Sequence, residues 1–201
     1  GIGSMVFIGT KTYTDAPPRV NFVTTNGDVV FTKDQIIQGQ VYFLKYAFMD
    51  YGSMFGDGAL RGPDFTADAL HQTSVFMEEF YANQNGGNQD AYDLARIRTQ
   101  REIKQNGFSE KEQLIYLSEG EVFAGHKLRQ HFAKVIRQDM QGIVPQVKNI
   151  SDAELDAITA FFFWGGWVCG AERDSTGYSY TNNWPYDPDA GNLPTSEIVL
   201  W

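Results

Sequence analysis

The sequence predicts a mainly α-helical domain with a small N-terminal β-hairpin and an irregular, aromatic-rich C-terminal tail. Three observations support this prediction. Capping-box pairs, Thr32 with Gln35 and Ser151 with Glu154, each precede a long apolar segment. Between glycine- and proline-rich breaks, apolar residues recur at helical spacing. After Gly170, prolines are too frequent for a regular helix, so the tail is expected to be irregular.

The hairpin is expected within residues 21–31. Two β-prone runs, 21–25 and 28–31, flank Asn26-Gly27, a dipeptide preferred in tight hairpin turns. The preceding residues 10–20 include Pro17 and Pro18, and they are expected to form an extended segment.

Five helices follow in the prediction. They are expected from Thr32 to about Asp50, from Pro63 to the Gly86-Gly87 pair, and over residues 89–105, 119–140 and 151–167. The apolar face of the first helix consists of Ile36, Ile37, Val41, Phe43, Leu44 and Phe48. The helix over 89–105 is polar and expected to be solvated. Residues 109–117 fit neither a helical nor a strand pattern clearly.

Composition excludes several function classes. The 201 residues contain 16 Lys and Arg against 25 Asp and Glu, a formal charge of −9, which disfavours binding to nucleic acid. The single cysteine, Cys169, excludes an intrachain disulfide, a Cys-rich zinc site and a Cys-ligated iron–sulfur cluster. It also excludes the Cys-x-x-Cys-His motif that attaches a c-type haem.

Both ends of the chain are apolar, although no run approaches the length of a membrane-spanning helix. Residues 5–8 and 198–201 are compatible with terminal strands, or with the stubs of membrane helices. We interpret residues 1–4 as an expression scar and residues 5–201 as a single domain.

No group of residues predicts catalysis. His126 and His131 are five residues apart, which does not place two imidazoles on one helical stripe, and His71 is distant in sequence. No metal site is therefore predicted, and a hydrolase using His126 or His131 is only a remote alternative. Glu78 and Glu79 are expected on a solvated face. Cys169 is expected to be a small buried residue, not a nucleophile.

Three N-terminal segments and the tail resemble the N-terminal extramembrane domain of quinol-dependent nitric oxide reductases. The N-terminal segments are Thr12-Tyr13 to Pro17-Pro18, Lys33 through Ser53, and Gly56-Asp57-Gly58 through His71. The tail run is Tyr178 through Pro185, followed by Gly191-Asn192 and Pro194-Thr195.

This resemblance implies a place and a function. The domain would lie between the first two membrane helices, on the outer (periplasmic or extracellular) face of the bacterial cytoplasmic membrane. The whole enzyme would reduce two nitric oxide molecules to nitrous oxide and water with electrons from quinol. Its haem b, haem b3 and non-haem iron would belong to the membrane-embedded catalytic domain, with no cofactor in this segment. The partners implied are that catalytic domain and, through the flanking helices, the lipid membrane.

The resemblance also implies a cytochrome c-like fold that has lost its haem. Gly39 and Phe43 match the residues that precede the haem-attachment motif in such domains. In that register, Ala47 and Asp50 stand at the two cysteine positions, and Tyr51 stands at the position of the axial histidine. We expect large side chains to fill the haem volume; they are Phe48, Met49, Phe161, Phe162, Phe163 and Trp164.

The resemblance makes the role of the domain structural. Tyr180, Trp184 and Tyr186 are the candidates for contact with the membrane domain, because Trp and Tyr favour membrane interfaces. The simpler alternative is that they pack only onto their own domain. A different class of function, a stand-alone secreted or periplasmic ligand-binding domain, would use residues 52–68 as its ligand loop.

Overall fold

A computed structural model of the chain describes residues 2–14, 16–138, 147, 149–173 and 175–199. It is mainly helical, as predicted. The helices are α1 (Ile2–Thr14), α2 (Lys33–Lys45), α3 (Phe65–Gln84), α4 (Gln89–Lys104), α5 (Glu119–Arg137), α6 (Asp152–Gly170) and α7 (Ser196–Val199), with a 3-10 turn at Phe48–Asp50. The strands are β1 (Asn21–Thr24), β2 (Val29–Phe31), β3 (Ser53–Met54), β4 (Asp57–Gly58), β5 (Phe108–Ser109) and β6 (Leu114–Leu117).

Helix α6 is the centre of the core. Its N-terminus has the predicted capping box, in which Ser151 and Glu154 satisfy each other's backbone N–H groups. From Ala157 to Gly170 every residue is buried, because α2 and α3 pack against it. The α2 contact requires glycine at position 39, since a Cβ there would overlap the Ala157 carbonyl oxygen. The first and last predicted helices therefore cross at a backbone-to-backbone contact.

A four-stranded sheet covers the other side of the core. The predicted hairpin is confirmed, with β1 and β2 antiparallel around Gly27. Strand β1 also pairs in parallel with β6, which pairs antiparallel with β5, so the order is β2-β1-β6-β5. Residues 109–117, whose pattern was unclear in the sequence, thus include the end of β5 and the whole of β6. Their strand character depends on a partner, β1, that lies far away in sequence.

Several helix predictions need correction. Helix α2 ends at Lys45, not near Asp50, because Ala47 adopts a left-handed conformation with φ of 53°. Val41 and Leu44 were predicted to be core residues but are exposed. Pro63 precedes the α3 N-cap, Asp64, instead of lying in the first turn. Helix α5 ends at Arg137, while Met140, its predicted end, lies outside the described residues.

The N-terminal prediction is wrong over its first part. Residues 10–14 belong to α1 and residues 16–20 lie outside any helix or strand, because Pro17 and Pro18 restrict the chain only near themselves. The prediction of terminal strands is also wrong, since residues 5–8 lie in α1 and residues 198–199 lie in α7. Residues 1, 200 and 201 lie outside the described part. Within the described ranges, none of the helices has both the length and the hydrophobicity that crossing a bilayer requires.

Candidate functional site

The segment at positions 47–51 connects α2 to the hairpin β3–β4. Ala47 and Asp50 are exposed and Tyr51 is half-buried, whereas Phe48 between them is fully buried. The Tyr51 N–H donates to the Phe48 carbonyl at 3.1 Å, which closes the turn. At the three positions that the resemblance assigns to haem attachment, the side chains are thus a methyl group, a carboxylate and a phenol.

Aromatic rings fill the space between this turn, α3, α5 and α6. Phe65 and Phe162 stack with ring centroids 4.7 Å apart, and Phe132 lies 4.7 Å from Phe162 on another side. The ring centroids of Phe48 and Phe43 lie 5.9 Å and 5.8 Å, respectively, from that of Phe65. Of the side chains expected to fill this volume, Phe163 instead packs against β1 and β2, and Trp164 packs against Phe55.

Two grooves open beside Phe55, at the tip of the β3–β4 hairpin. The Trp184 groove, of about 390 Å³, is lined by Phe55, Gly56, Tyr180, Thr181, Asn182, Trp184 and Ile198. The Trp164 groove, of about 230 Å³, is lined by Arg19, Gln40, Phe43, Leu44, Met49, Met54, Phe55, Asp57, Phe161 and Trp164. The structure thus brings Tyr180 and Trp184 to one groove. Tyr186 does not line it and is 66% exposed.

Residues 19–186 match the family of the NorB cytochrome c-like domain of nitric oxide reductase. The chain belongs to this family. No curated protein matches the chain. The resemblance to a cytochrome c-like domain of nitric oxide reductase is thereby confirmed, and the mainly helical fold agrees with it.

A cytochrome c-like domain implies a covalently attached haem, and the residues of this nitric oxide reductase domain do not fit one. Attachment of a c-type haem needs the two cysteine thiols of a Cys-x-x-Cys-His motif. The only cysteine of the chain, Cys169, is instead buried in α6, where burial raises the pKa of its thiol to about 12. The volume beneath the turn is occupied by the rings of Phe48, Phe65 and Phe162.

Two of the three histidines join different elements of the domain. His131 on α5 lies 2.7 Å from the Asp68 carboxylate on α3. His71 on α3 lies 3.1 Å from Asp187 in the tail. His126 is exposed on α5. The structure thus pairs two of the three histidines with carboxylates on other elements.

One group within the described residues could hold a metal ion. His71, Asp187 and Asp189 present ligand atoms within 4.8 Å of one another. The group already has other partners, because Arg96 pairs with Asp189 and the Asp187 carboxylate accepts two backbone N–H groups. Arg96 therefore supplies the positive charge that a metal ion would bring to these carboxylates. The same contacts attach the tail to α3 through His71 and to α4 through Arg96.

Sequence reasoning missed a buried polar network between α3, α4 and α5. The Tyr81 hydroxyl donates to Glu102 and accepts the Gly120 N–H at 3.1 Å. Burial, and then the Glu102 hydrogen bond, raise the pKa of Tyr81 to about 12. Glu121, one residue from this contact, is buried, and burial raises the pKa of its carboxyl to about 7. The Ser118–Glu121 spacing of a capping box was the available signal.

The prediction that Glu78 lies on a solvated face is wrong. Its side chain is mostly buried, and its Oε1 lies 3.4 Å from Nε of Arg96. Burial raises the pKa of the carboxyl, and the Arg96 charge opposes that rise. The reason is tertiary: α4 packs over this face of α3, a contact that the pattern of α3 alone does not reveal.

Proposed function

We propose that this chain is the non-catalytic outer domain of a membrane nitric oxide reductase that takes electrons from quinol. In this proposal residues 5–201 form one extramembrane domain on the periplasmic or extracellular face. The domain caps a membrane-embedded catalytic part, which carries haem b, haem b3 and non-haem iron. Its own contribution is structural.

The observation that carries this proposal is that Ala47, Asp50 and Tyr51, the positions that the resemblance assigns to haem attachment, have neither a thiol nor an imidazole. A water-soluble electron donor would need a redox group in the outer domain to pass electrons inward. The turn offers no thiol or imidazole, and aromatic rings fill the space beneath it. A donor dissolved in the membrane would reach the catalytic part without this domain, which supports quinol as the electron source.

The contact with the membrane part is proposed to involve Tyr180, Trp184 and Tyr186. Tyr180 packs with its ring 5.7 Å from that of Trp167 and lines the Trp184 groove. Tyr186 is mostly exposed and free to meet another surface. Aromatic residues with one polar atom are favoured where protein meets the membrane interface.

The first test is electron-donor specificity of the full-length protein. Purified enzyme should consume nitric oxide with a reduced quinol analogue and not with a reduced water-soluble cytochrome. The ultraviolet–visible spectrum of the separately expressed outer domain should lack a Soret band after acid–acetone extraction. A Soret band that survives extraction would overturn the haem-less assignment.

The second test addresses the contact residues. Trp184→Ala in the full-length enzyme should lower the yield of assembled protein and its turnover. Tyr92→Ala is the matched control, because Tyr92 is a partly exposed aromatic residue on α4, away from the Trp184 groove. Unchanged assembly and turnover in the Trp184 variant would count against the contact role.

A second candidate function rests on the two grooves beside Phe55. In a stand-alone secreted or periplasmic protein, they could bind a small apolar ligand next to the loop of residues 52–68. That function predicts a secretory signal upstream and a stop codon near Trp201. The membrane-reductase function predicts long apolar segments on both sides, so the full open reading frame separates the two.

A further inference from the structure

The β3–β4 hairpin is held in one conformation by side chains at the start of α3. The Asp64 carboxylate accepts the Ser53 hydroxyl and the Gly56 N–H, both at 2.7 Å. The Thr66 hydroxyl accepts the Phe55 N–H at 2.8 Å. Phe55 is thereby fixed with φ of 55°, a conformation that bulky residues rarely adopt.

This fixed conformation places Phe55 between the two grooves. Phe55 lines both the Trp164 groove and the Trp184 groove. Its ring centroid lies 5.9 Å from that of Trp164. Residues in sparsely populated backbone conformations cluster at functional sites, such as ligand clamps. The hairpin tip is therefore a rigid ridge with an apolar depression on each side.

Large apolar side chains are exposed around this ridge. Leu44, which lines the Trp164 groove, is 58% exposed. Leu60 is 95% exposed and follows Ala59, whose N–H donates to the Met49 carbonyl at the same groove. Apolar side chains that cluster on a surface indicate a binding interface more than scattered ones do.

The two segments that lead to the terminal helices pass beside this ridge. The Trp164 indole N–H donates to the Pro18 carbonyl at 2.9 Å, which ties the segment after α1 to the Trp164 groove. Ile198 of α7 lines the Trp184 groove. Helix α1 exposes Ile2, Met5 and Val6. In the proposed function both terminal segments lead into the membrane, so the surface between them is the one nearest the catalytic part.

We propose that this surface, the two grooves with the Phe55 ridge, docks onto apolar side chains of the membrane-embedded part of the same polypeptide. The inference rests on the proposed function and names the contact within it. Concave grooves lined by large apolar and aromatic side chains, such as Phe55, Trp164 and Trp184, suit apolar anchors of a protein partner. A domain of formal charge −9 gains no electrostatic attraction to anionic lipids, which disfavours lipid as the occupant.

Photo-crosslinking in the full-length reductase, in its own membrane, tests this contact. Leu44 is replaced by the photoreactive residue benzoyl-phenylalanine, and crosslinked peptides are identified by mass spectrometry. Leu94 on α4 is the matched control, because it is also a helical leucine, is 68% exposed, and does not line either groove. We expect crosslinks from position 44 to peptides of the membrane-embedded part. The crosslinker at position 94 should give no such product.

The other outcomes overturn the inference. These are crosslinks from position 44 to lipid or to a second copy of the chain, equal crosslinking from position 94, or no crosslink in an assembled enzyme. A second variant, Leu44→Glu, should lower the thermal stability of the full-length protein more than Leu94→Glu does; equal effects would contradict the docking. Nitric oxide turnover is measured throughout. If turnover is absent, the proposed function fails; if turnover is present and position 44 contacts lipid, only the docking fails.

Discussion

Replacing Glu121 by glutamine is expected to stabilise the domain at neutral and alkaline pH. The side chain is buried, and its Oε2 accepts the Ser118 N–H at 2.8 Å. Burial raises the pKa of the carboxyl from 4.5 to about 7, against the opposing effect of the Ser118 hydrogen bonds. Glutamine keeps an oxygen acceptor for Ser118 and has no proton to lose.

The sign of the pH dependence follows from proton binding. Between pH 4.5 and about 7, the folded state holds more protons at Glu121 than the unfolded state does. The free energy of unfolding therefore falls as pH rises through this window and is level above it. The difference between the two pKa values corresponds to about 3 kcal/mol, which is the most that this group removes from stability.

Urea denaturation of the 201-residue chain, followed by tryptophan fluorescence at several pH values, measures this effect. The original chain should lose stability between pH 4.5 and about pH 7, and Glu121→Gln should remove most of that loss. Glu119→Gln, on the exposed side of the same turn, removes one formal charge without changing a buried group. If the Glu121→Gln and original chains decline in parallel, the carboxyl is not protonated in the folded state and the reasoning is wrong.

Three further substitutions test the packing of the domain. Gly39→Ala should lower the free energy of unfolding in urea by about 1–3 kcal/mol, because the new methyl group meets the Ala157 carbonyl; an unchanged midpoint would show that α2 can shift. Phe162→Ala should cost about 3–5 kcal/mol through the cavity left at the centre of the aromatic cluster, and a loss below about 1 kcal/mol would mean that the cluster collapses. Asp64→Ala should cost about 1–2 kcal/mol as a lost N-cap and speed hydrogen exchange at the Gly56 amide; slow exchange there would show that the hairpin does not depend on Asp64.

Local signals were enough to predict most of the helices, because their determinants lie within a few residues. The capping boxes at Thr32 and Ser151 were confirmed with both hydrogen bonds of each pair. The strand at Leu114–Leu117 was not predicted, because its partner β1 lies three helices earlier in the chain. Helix α1 was not predicted, because the extended conformation that Pro17 and Pro18 favour was applied to residues as far back as position 10. A proline restricts only itself and the residue before it.

For the candidate site, the sequence alone showed only which chemical groups are absent. Cysteine counting alone excludes a haem attached through a Cys-x-x-Cys-His motif, because the chain has one cysteine and the motif needs two. The grooves beside Phe55 depend on tertiary structure: the left-handed break at Ala47 ends α2, and Asp64 fixes the hairpin from eight residues away. Neither interaction has a spacing rule that a single sequence reveals.

The parallel pairing of β1 with β6 also has a consequence for the order of folding. The β1–β2 hairpin can form as soon as it is synthesised, but β1 must wait for Leu114–Leu117 before the sheet is complete. Closing so long a loop costs chain entropy that only the intervening helices α2, α3 and α4 can reduce, by folding first. The ring of Phe22 packs against Phe163 and Trp167 of α6, so it stays uncovered in the nascent chain until that later helix has also been made. A pause in translation before β6 would prolong that exposure, and the domain would then be most vulnerable to aggregation at its first strand.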